Sequence, residues 1–109
     1  MNLSDNARRM CPGLSKGTAF VYILRLHSGK FYVGSSTDFE ARFREHEKGT
    51  ACRTTAIDPP EALLLIEIQS DFPMARKREA QIKRWSRAKK LALIDADFPL
   101  LQRLSRSRE

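Results

Sequence analysis

Five side chains in this 109-residue chain have the types and spacing to act on a phosphodiester. Tyr22 and Tyr32 sit in two short aromatic segments, Phe20-Val21-Tyr22-Ile23-Leu24 and Phe31-Tyr32-Val33-Gly34. Arg42 and His46 follow at i, i+4, one helical turn apart. Glu79 stands alone among eight lysines and arginines between Arg76 and Lys90. Cutting a phosphodiester needs an activated water, relief of charge on the phosphorane and help for the leaving oxygen. Arg42 stays charged at any working pH, and its planar fork matches two phosphate oxygens. Mg²⁺ takes oxygen ligands and often only one or two protein carboxylates, with waters and phosphate completing the octahedron. Glu79 suits that single-carboxylate role, and Mn²⁺ would substitute. His46 could accept a proton or orient Tyr22.

Each of these residues has a plainer reading. Glu79 could pair with Lys83, and Arg42 with Glu45 or Asp38, each within one turn. A lone helix histidine is usually structural. A strand tyrosine is usually half-buried with its hydroxyl at the rim. Trp85 could stack on a base, but its helical spacing from Ile82 favours core, as it does for Phe39 and Phe43.

The elements that must position these groups are legible. Phe20 to Leu26 and Lys30 to Ser35 read as strands joined at His27-Ser28-Gly29. A two-residue Ser28-Gly29 loop would put the tyrosines on opposite faces. A three-residue loop with Gly29 left-handed pairs Leu26 with Lys30, Leu24 with Tyr32 and Tyr22 with Gly34, all on one face. Gly29 at the last loop position favours that register, and Gly34 then leaves space beside Tyr22. Thr37 and Glu40 have the form of a capping box for a helix that runs to about Lys48 and stops at Gly49. Residues 49–60 read as loop, and Leu63 to Ile68 as a buried central or third strand. Asp71 caps a helix to about Trp85, with Pro73 in its first turn. Ser86 opens another helix to about Asp95, and Phe98 to Leu104 forms a final apolar turn or helix. The order β-β-α-β-α-α predicts an α+β (α/β) fold, a small three-stranded antiparallel sheet flanked by helices. Residues 1–17 read as a flexible arm, 18–104 as a single domain and 105–109 as a polar tail.

Charge and cysteine content narrow the function. The net charge is +7, and residues 71–109 hold eleven basic groups against five acids. A basic surplus concentrated on predicted helices suits a polyanion, most simply nucleic acid, although a solvated helix face would look similar. Cys11 and Cys52 have no metal-site spacing and imply no disulfide. With no export signal or spanning stretch, the expectation is a cytoplasmic protein without a membrane partner. Oligomeric state is not legible.

Taken in order, these segments resemble the GIY-YIG endonuclease superfamily. The Val21-Tyr22-Ile23 and Tyr32-Val33-Gly34 strands resemble its paired motifs. The helix Asp38 to His46 resembles its next motif, and Arg78 to Lys90 the signature of its small stand-alone bacterial members. The resemblance covers roughly residues 18–95. Val21 replaces the name-giving glycine, and the final third has no asparagine to match the late one that some members carry. The resemblance implies a Mg²⁺-dependent endonuclease with Tyr22, Tyr32, Arg42, His46 and Glu79 as catalytic residues and Glu79 on the metal. Tyr22 would be the general base. A free phenol has a pKa of about 10, so the site would have to lower it or move its proton in concert. Tyr32 would position a phosphate or water. Lys30, Gly34, Lys83, Arg84 and Arg87 are expected to face nucleic acid, most simply DNA. With no sequence-reading element, weak sequence preference is expected, with structure-selective or single-strand cutting and DNA repair among the possible settings. The alternative is a catalytically weak or inactive nucleic-acid-binding module on the same scaffold.

Overall fold

A computed structural model describes residues 2–106; Met1 and residues 107–109 lie outside it. The strands are β1 (Phe20–Leu26), β2 (Phe31–Ser36) and β3 (Pro60–Ile68). The helices are α1 (Leu3–Met10), α2 (Phe39–Lys48), α3 (Arg53–Ile57), α4 (Phe72–Lys83), α5 (Arg87–Ile94) and α6 (Phe98–Arg106). Within this order the β-β-α-β-α-α core is as expected, and the sheet is antiparallel throughout.

The sheet order is β2-β1-β3, so β1 is the central strand and β3 an edge. Composition explains why β3 is not central. β1 is apolar on both faces and exposes only Arg25, whereas β3 carries Glu61 and Glu67 at the two ends of its aliphatic run and is mostly only half-buried. Phe20, Tyr22 and Leu24 of β1 pack with Phe39 and Phe43 of α2 and with Leu3 and Ala7 of α1. Val21 and Ile23, on the other face, pack with Val33 of β2, Ala75 and Ile82 of α4 and Leu93 of α5. Trp85 packs against this second cluster, as its spacing predicted.

The N-terminal segment is not a loose arm. Residues 3–10 form α1, with Leu3, Ala7 and Leu14 buried in the first core cluster. Asn2 caps the helix, the Leu3 N–H donates to the Glu47 carboxylate at 3.1 Å, and Arg8 pairs with Glu40. Three apolar residues spread over twelve positions were too few to show as periodicity, yet all three are buried in the core cluster beside β1.

The cap of α2 also differs from expectation. Asp38, not Thr37, is the N-cap, its carboxylate accepting from the Ala41 N–H. Ser36 Oγ accepts the Asp38 N–H, and Glu40 is drawn away to Arg8, so no reciprocal box forms. Gly49 ends the helix at φ 76°, a left-handed conformation that glycine adopts without strain. The loop at 49–60 contains the short α3. Asp71 and Ser86 cap α4 and α5 as predicted.

Candidate active site

The β1–β2 hairpin sets the register that brings the two phenols together. Gly29 is left-handed at φ 93°, and the Leu26 N–H donates to the Lys30 carbonyl at 2.8 Å. Tyr22 therefore stands opposite Gly34 and Leu24 opposite Tyr32. The phenol of Tyr22 lies over Gly34 so closely that a Cβ there would overlap its Cζ and Oη. The absent side chain lets the hydroxyl cross β2 toward the sheet edge. Phe43 meets the Tyr22 ring edge-on at 5.1 Å and holds it there.

Helix α2 supplies the next two groups from one stripe. Arg42 Nε donates to Tyr22 Oη at 3.1 Å, and Oη lies 2.7 Å from His46 Nε2. Arg42 Nη1 also reaches Glu45 at 3.5 Å, so the surface ion pair and the site contact coexist. His46 is 1% exposed, and its Nδ1 lies 3.0 Å from Thr55 Oγ1. Cys52 Sγ is 3.4 Å from the same hydroxyl and donates to Tyr32 Oη at 3.6 Å. Both cysteines are free thiols.

Glu79 approaches from α4, on the other face of the sheet. Ser35 Oγ donates to it at 2.5 Å and Lys83 Nζ sits at 2.6 Å. The plainer Lys83 pairing is thus present, but the carboxylate is also directed at the β2 edge. Its hydrogen-bond donor Ser35 adjoins Gly34, over which the Tyr22 phenol lies, and its negative charge acts to raise the pKa of both phenols. Arg42, Glu45, Ser35, Ser36, Thr37 and Asp38 line one side of a cleft of about 420 Å³, and Phe72 and Arg76 of α4 line the other.

The electrostatics define resting protonation states. Burial pushes the Tyr22 phenol well up, and the nearby Arg42 charge offsets this only in part. Burial also carries Tyr32 up, to about 12. The lowered phenol pKa that a free tyrosinate base would need is absent, because desolvation of the anion outweighs one cation. Burial and the Arg42 charge pull His46 down to about 4, so it is a neutral imidazole at pH 7. Burial alone would lower the Arg42 pKa, but Tyr22 and its other neighbours raise it. Burial would raise Glu79, yet hydrogen bonds from Lys83 and Ser35 hold it below the ordinary carboxylate value.

The expected nucleic-acid contacts are distributed along the β2 edge. Helix α4 runs beside this strand, from Arg76 near Ser35 and Ser36 to Arg87, which follows it, near the hairpin turn. Lys83 is brought to Glu79. Arg84 is exposed at the end of α4. Arg87 donates to the Gly29 carbonyl at 3.0 Å and covers the Phe31 ring at 4.1 Å, fastening the turn to α5. Lys30 is exposed near the same turn, about 16 Å along the strand from Ser35 at 3.3 Å per residue. Lys30, Arg84 and Arg87 therefore do not join the cluster around Tyr22. Ser35, Cys52, Thr55 and Phe72 belong to the site or its support and carried no sequence signal as single hydroxyls, thiols or rings.

A family model described as the GIY-YIG catalytic domain matches residues 18–92. A UPF0213 protein of Xanthomonas axonopodis pv. citri (strain 306) is 37% identical over 76 residues, covering 70% of this chain and 74% of the relative. A UPF0213 protein of Staphylococcus aureus (strain Mu3) is 37% identical over 75 residues, covering 69% of this chain and 92% of the relative. No solved structure matches.

Proposed function

The chain belongs to the GIY-YIG family, and from that premise we propose that it is a divalent-metal-dependent endonuclease hydrolysing phosphodiester bonds in DNA with weak sequence preference. The observation that carries this reading is the environment of one oxygen. Tyr22 Oη is contacted at once by the Arg42 guanidinium and the neutral His46 ring, with the Glu79 carboxylate across the Gly34–Ser35 edge.

The donor set at Glu79 fits a hard cation. It offers one carboxylate and the Ser35 hydroxyl. Among the described residues no group of three or more His, Cys, Asp or Glu side chains gathers to hold a metal. A single carboxylate suits Mg²⁺ or Mn²⁺, which retain waters, better than Zn²⁺, which prefers nitrogen and sulfur. When bound, the cation supplies positive charge to the phosphate and the leaving oxygen. Lys83 neutralises Glu79 in this structure and must swing aside to free it.

The chain's own residues then do the rest. Arg42 keeps Nε on Tyr22 and turns its remaining N–H groups toward a phosphate in the cleft. Phe72 and Arg76 flank the adjoining nucleotide. As the attacking water forms its bond to phosphorus, its proton passes to Tyr22 Oη while the Tyr22 proton passes to His46 Nε2. Concerted transfer avoids a free tyrosinate, which burial disfavours. The leaving oxygen departs as the opposite P–O bond breaks.

The pairing of Glu79 with Lys83 specifically favours the second reading, a binding module that does not cut. One experiment separates the two. Labelled single-stranded, duplex and branched DNA are incubated with the protein and Mg²⁺, Mn²⁺ or EDTA, beside Glu79→Ala and Arg42→Ala. The nuclease reading expects metal-dependent cleavage that Glu79→Ala lowers by at least about 100-fold while DNA binding survives. Binding without cleavage under every metal condition would leave the binding module.

A further inference from the structure

Thr55 sits on the five-residue helix α3 and is fully buried against His46. We infer that Thr55 is a positioning residue that holds His46 in the tautomer with Nε2 free to accept from Tyr22, and that with Cys52 it joins His46 to Tyr32 through a one-way chain of hydrogen bonds.

The donors decide the direction. Arg42 Nε–H can only donate, so the Tyr22 oxygen accepts it. The Tyr22 hydrogen is then directed at His46 Nε2, 2.7 Å away. A neutral imidazole carries one N–H, which must therefore be on Nδ1, and Thr55 Oγ1 accepts it at 3.0 Å. The Thr55 hydrogen turns to Cys52 Sγ at 3.4 Å, and the Cys52 thiol donates to Tyr32 Oη at 3.6 Å. The opposite tautomer would aim two donors at the Tyr22 oxygen. Its own hydrogen would then have no acceptor among the described contacts of a side chain that is 0% exposed. Thr55 and His46 are sealed from solvent, so bulk water cannot replace the threonine hydroxyl.

The consequence for catalysis rests on the nuclease reading, whereas the tautomer does not. A proton delivered to buried His46 meets the Arg42 charge and has to leave. Nδ1 passes its proton to Thr55, Thr55 to Cys52 and Cys52 to Tyr32, which releases its own at the partly exposed rim. Every group gives one proton and gains one, so the chain ends neutral with the His46 proton on Nε2. The reverse relay, from the rim through Tyr32, Cys52 and Thr55 to Nδ1, with Nε2 returning its proton to Tyr22 and Tyr22 passing one to the departed oxygen, restores Nδ1–H. The titratable and charged groups facing this path are Tyr22 on β1, Tyr32 on β2, Arg42 on α2, Cys52 before α3 and, acting on both phenols, Glu79 on α4.

The test is ¹⁵N–¹H correlation NMR of the two histidines, His27 and His46, in the full chain, with Thr55→Val and Thr55→Ser beside it. The parent is expected to show His46 protonated on Nδ1. Thr55→Val keeps the side-chain shape without the hydroxyl and should move the population toward Nε2–H, and Thr55→Ser should restore it. A parent with Nε2–H, or a Thr55→Val protein that keeps Nδ1–H, overturns the inference, and both outcomes are readable even in a protein that cuts nothing. If the parent cuts, Thr55→Val should lower kcat by about 10- to 100-fold, with KM nearly unchanged, reshape the pH profile and be rescued by serine. Loss confined to KM would also overturn it.

Discussion

The hydroxyl of Tyr22 is held between a cation that only donates and an imidazole free to accept. Burial keeps the proton on the phenol and off the ring, so the pair is a poised donor and acceptor rather than a preformed base. This has a pH signature. His46 titrates at about 6.5 when unfolded but about 4 in the fold. Below pH 6.5 the unfolded chain binds the extra proton and the folded chain does not, so stability falls as pH drops from about 6.5 to about 4. The contribution is up to about 3 kcal/mol at roughly 1.4 kcal/mol per pK unit, and below about pH 4 this group adds no further loss. Urea midpoints of the parent and His46→Gln over that window provide the check. The parent's advantage should narrow toward low pH, whereas a constant gap would mean that His46 does not stay neutral in the fold.

Helices α1 and α2 act together as the wall behind the site. α2 carries Arg42 and His46 on one stripe and Phe39 and Phe43 in the core, so the packing of one stripe aims the other. α1 covers the same core cluster and is tied to α2 through Glu47 and Glu40. A segment that reads as a flexible arm is thus packed into the core. Leu3→Ala should cost about 2–4 kcal/mol, within the range for truncating a buried leucine. A loose arm would tolerate it within about 0.5 kcal/mol. Thermal or denaturant unfolding of the single variant distinguishes the two.

At the scale of the whole molecule, the net charge of +7 is biased toward residues 71–109, which include α4, α5 and α6. β2 is an edge strand, with Arg76, Lys83 and Arg87 placed against its residues or their partners, whereas Arg78 turns to Glu67 on β3. Charge along an exposed edge discourages pairing with another sheet and at the same time suits a phosphate backbone. Among the described residues no helix is long and apolar enough to cross a membrane. If DNA lies along this edge, log Kd should rise steeply with log salt. Arg76→Gln should flatten the slope by about 0.7–0.9, the share of one phosphate contact. A fluorescence anisotropy titration at three or more salt concentrations measures it, and an unchanged slope would remove Arg76 from the contact surface.

Local chemistry made much of this protein legible from its residues alone. The Gly29 turn dictated the hairpin register, because strand side chains alternate and one residue of slip would have parted the two tyrosines. The i, i+4 spacing put Arg42 and His46 on one stripe, whereas Glu79 by itself read as a partner of Lys83 and only the family resemblance singled it out. What lay beyond sequence were meetings between distant segments. Thr55 under His46, Ser35 on Glu79, α1 over the sheet and β1 rather than β3 at its centre all depend on how the helices close around the strands. The protonation states belong to that second group too. A phenol's or an imidazole's pKa is set by the solvent it loses, and only the packed molecule determines how much that is.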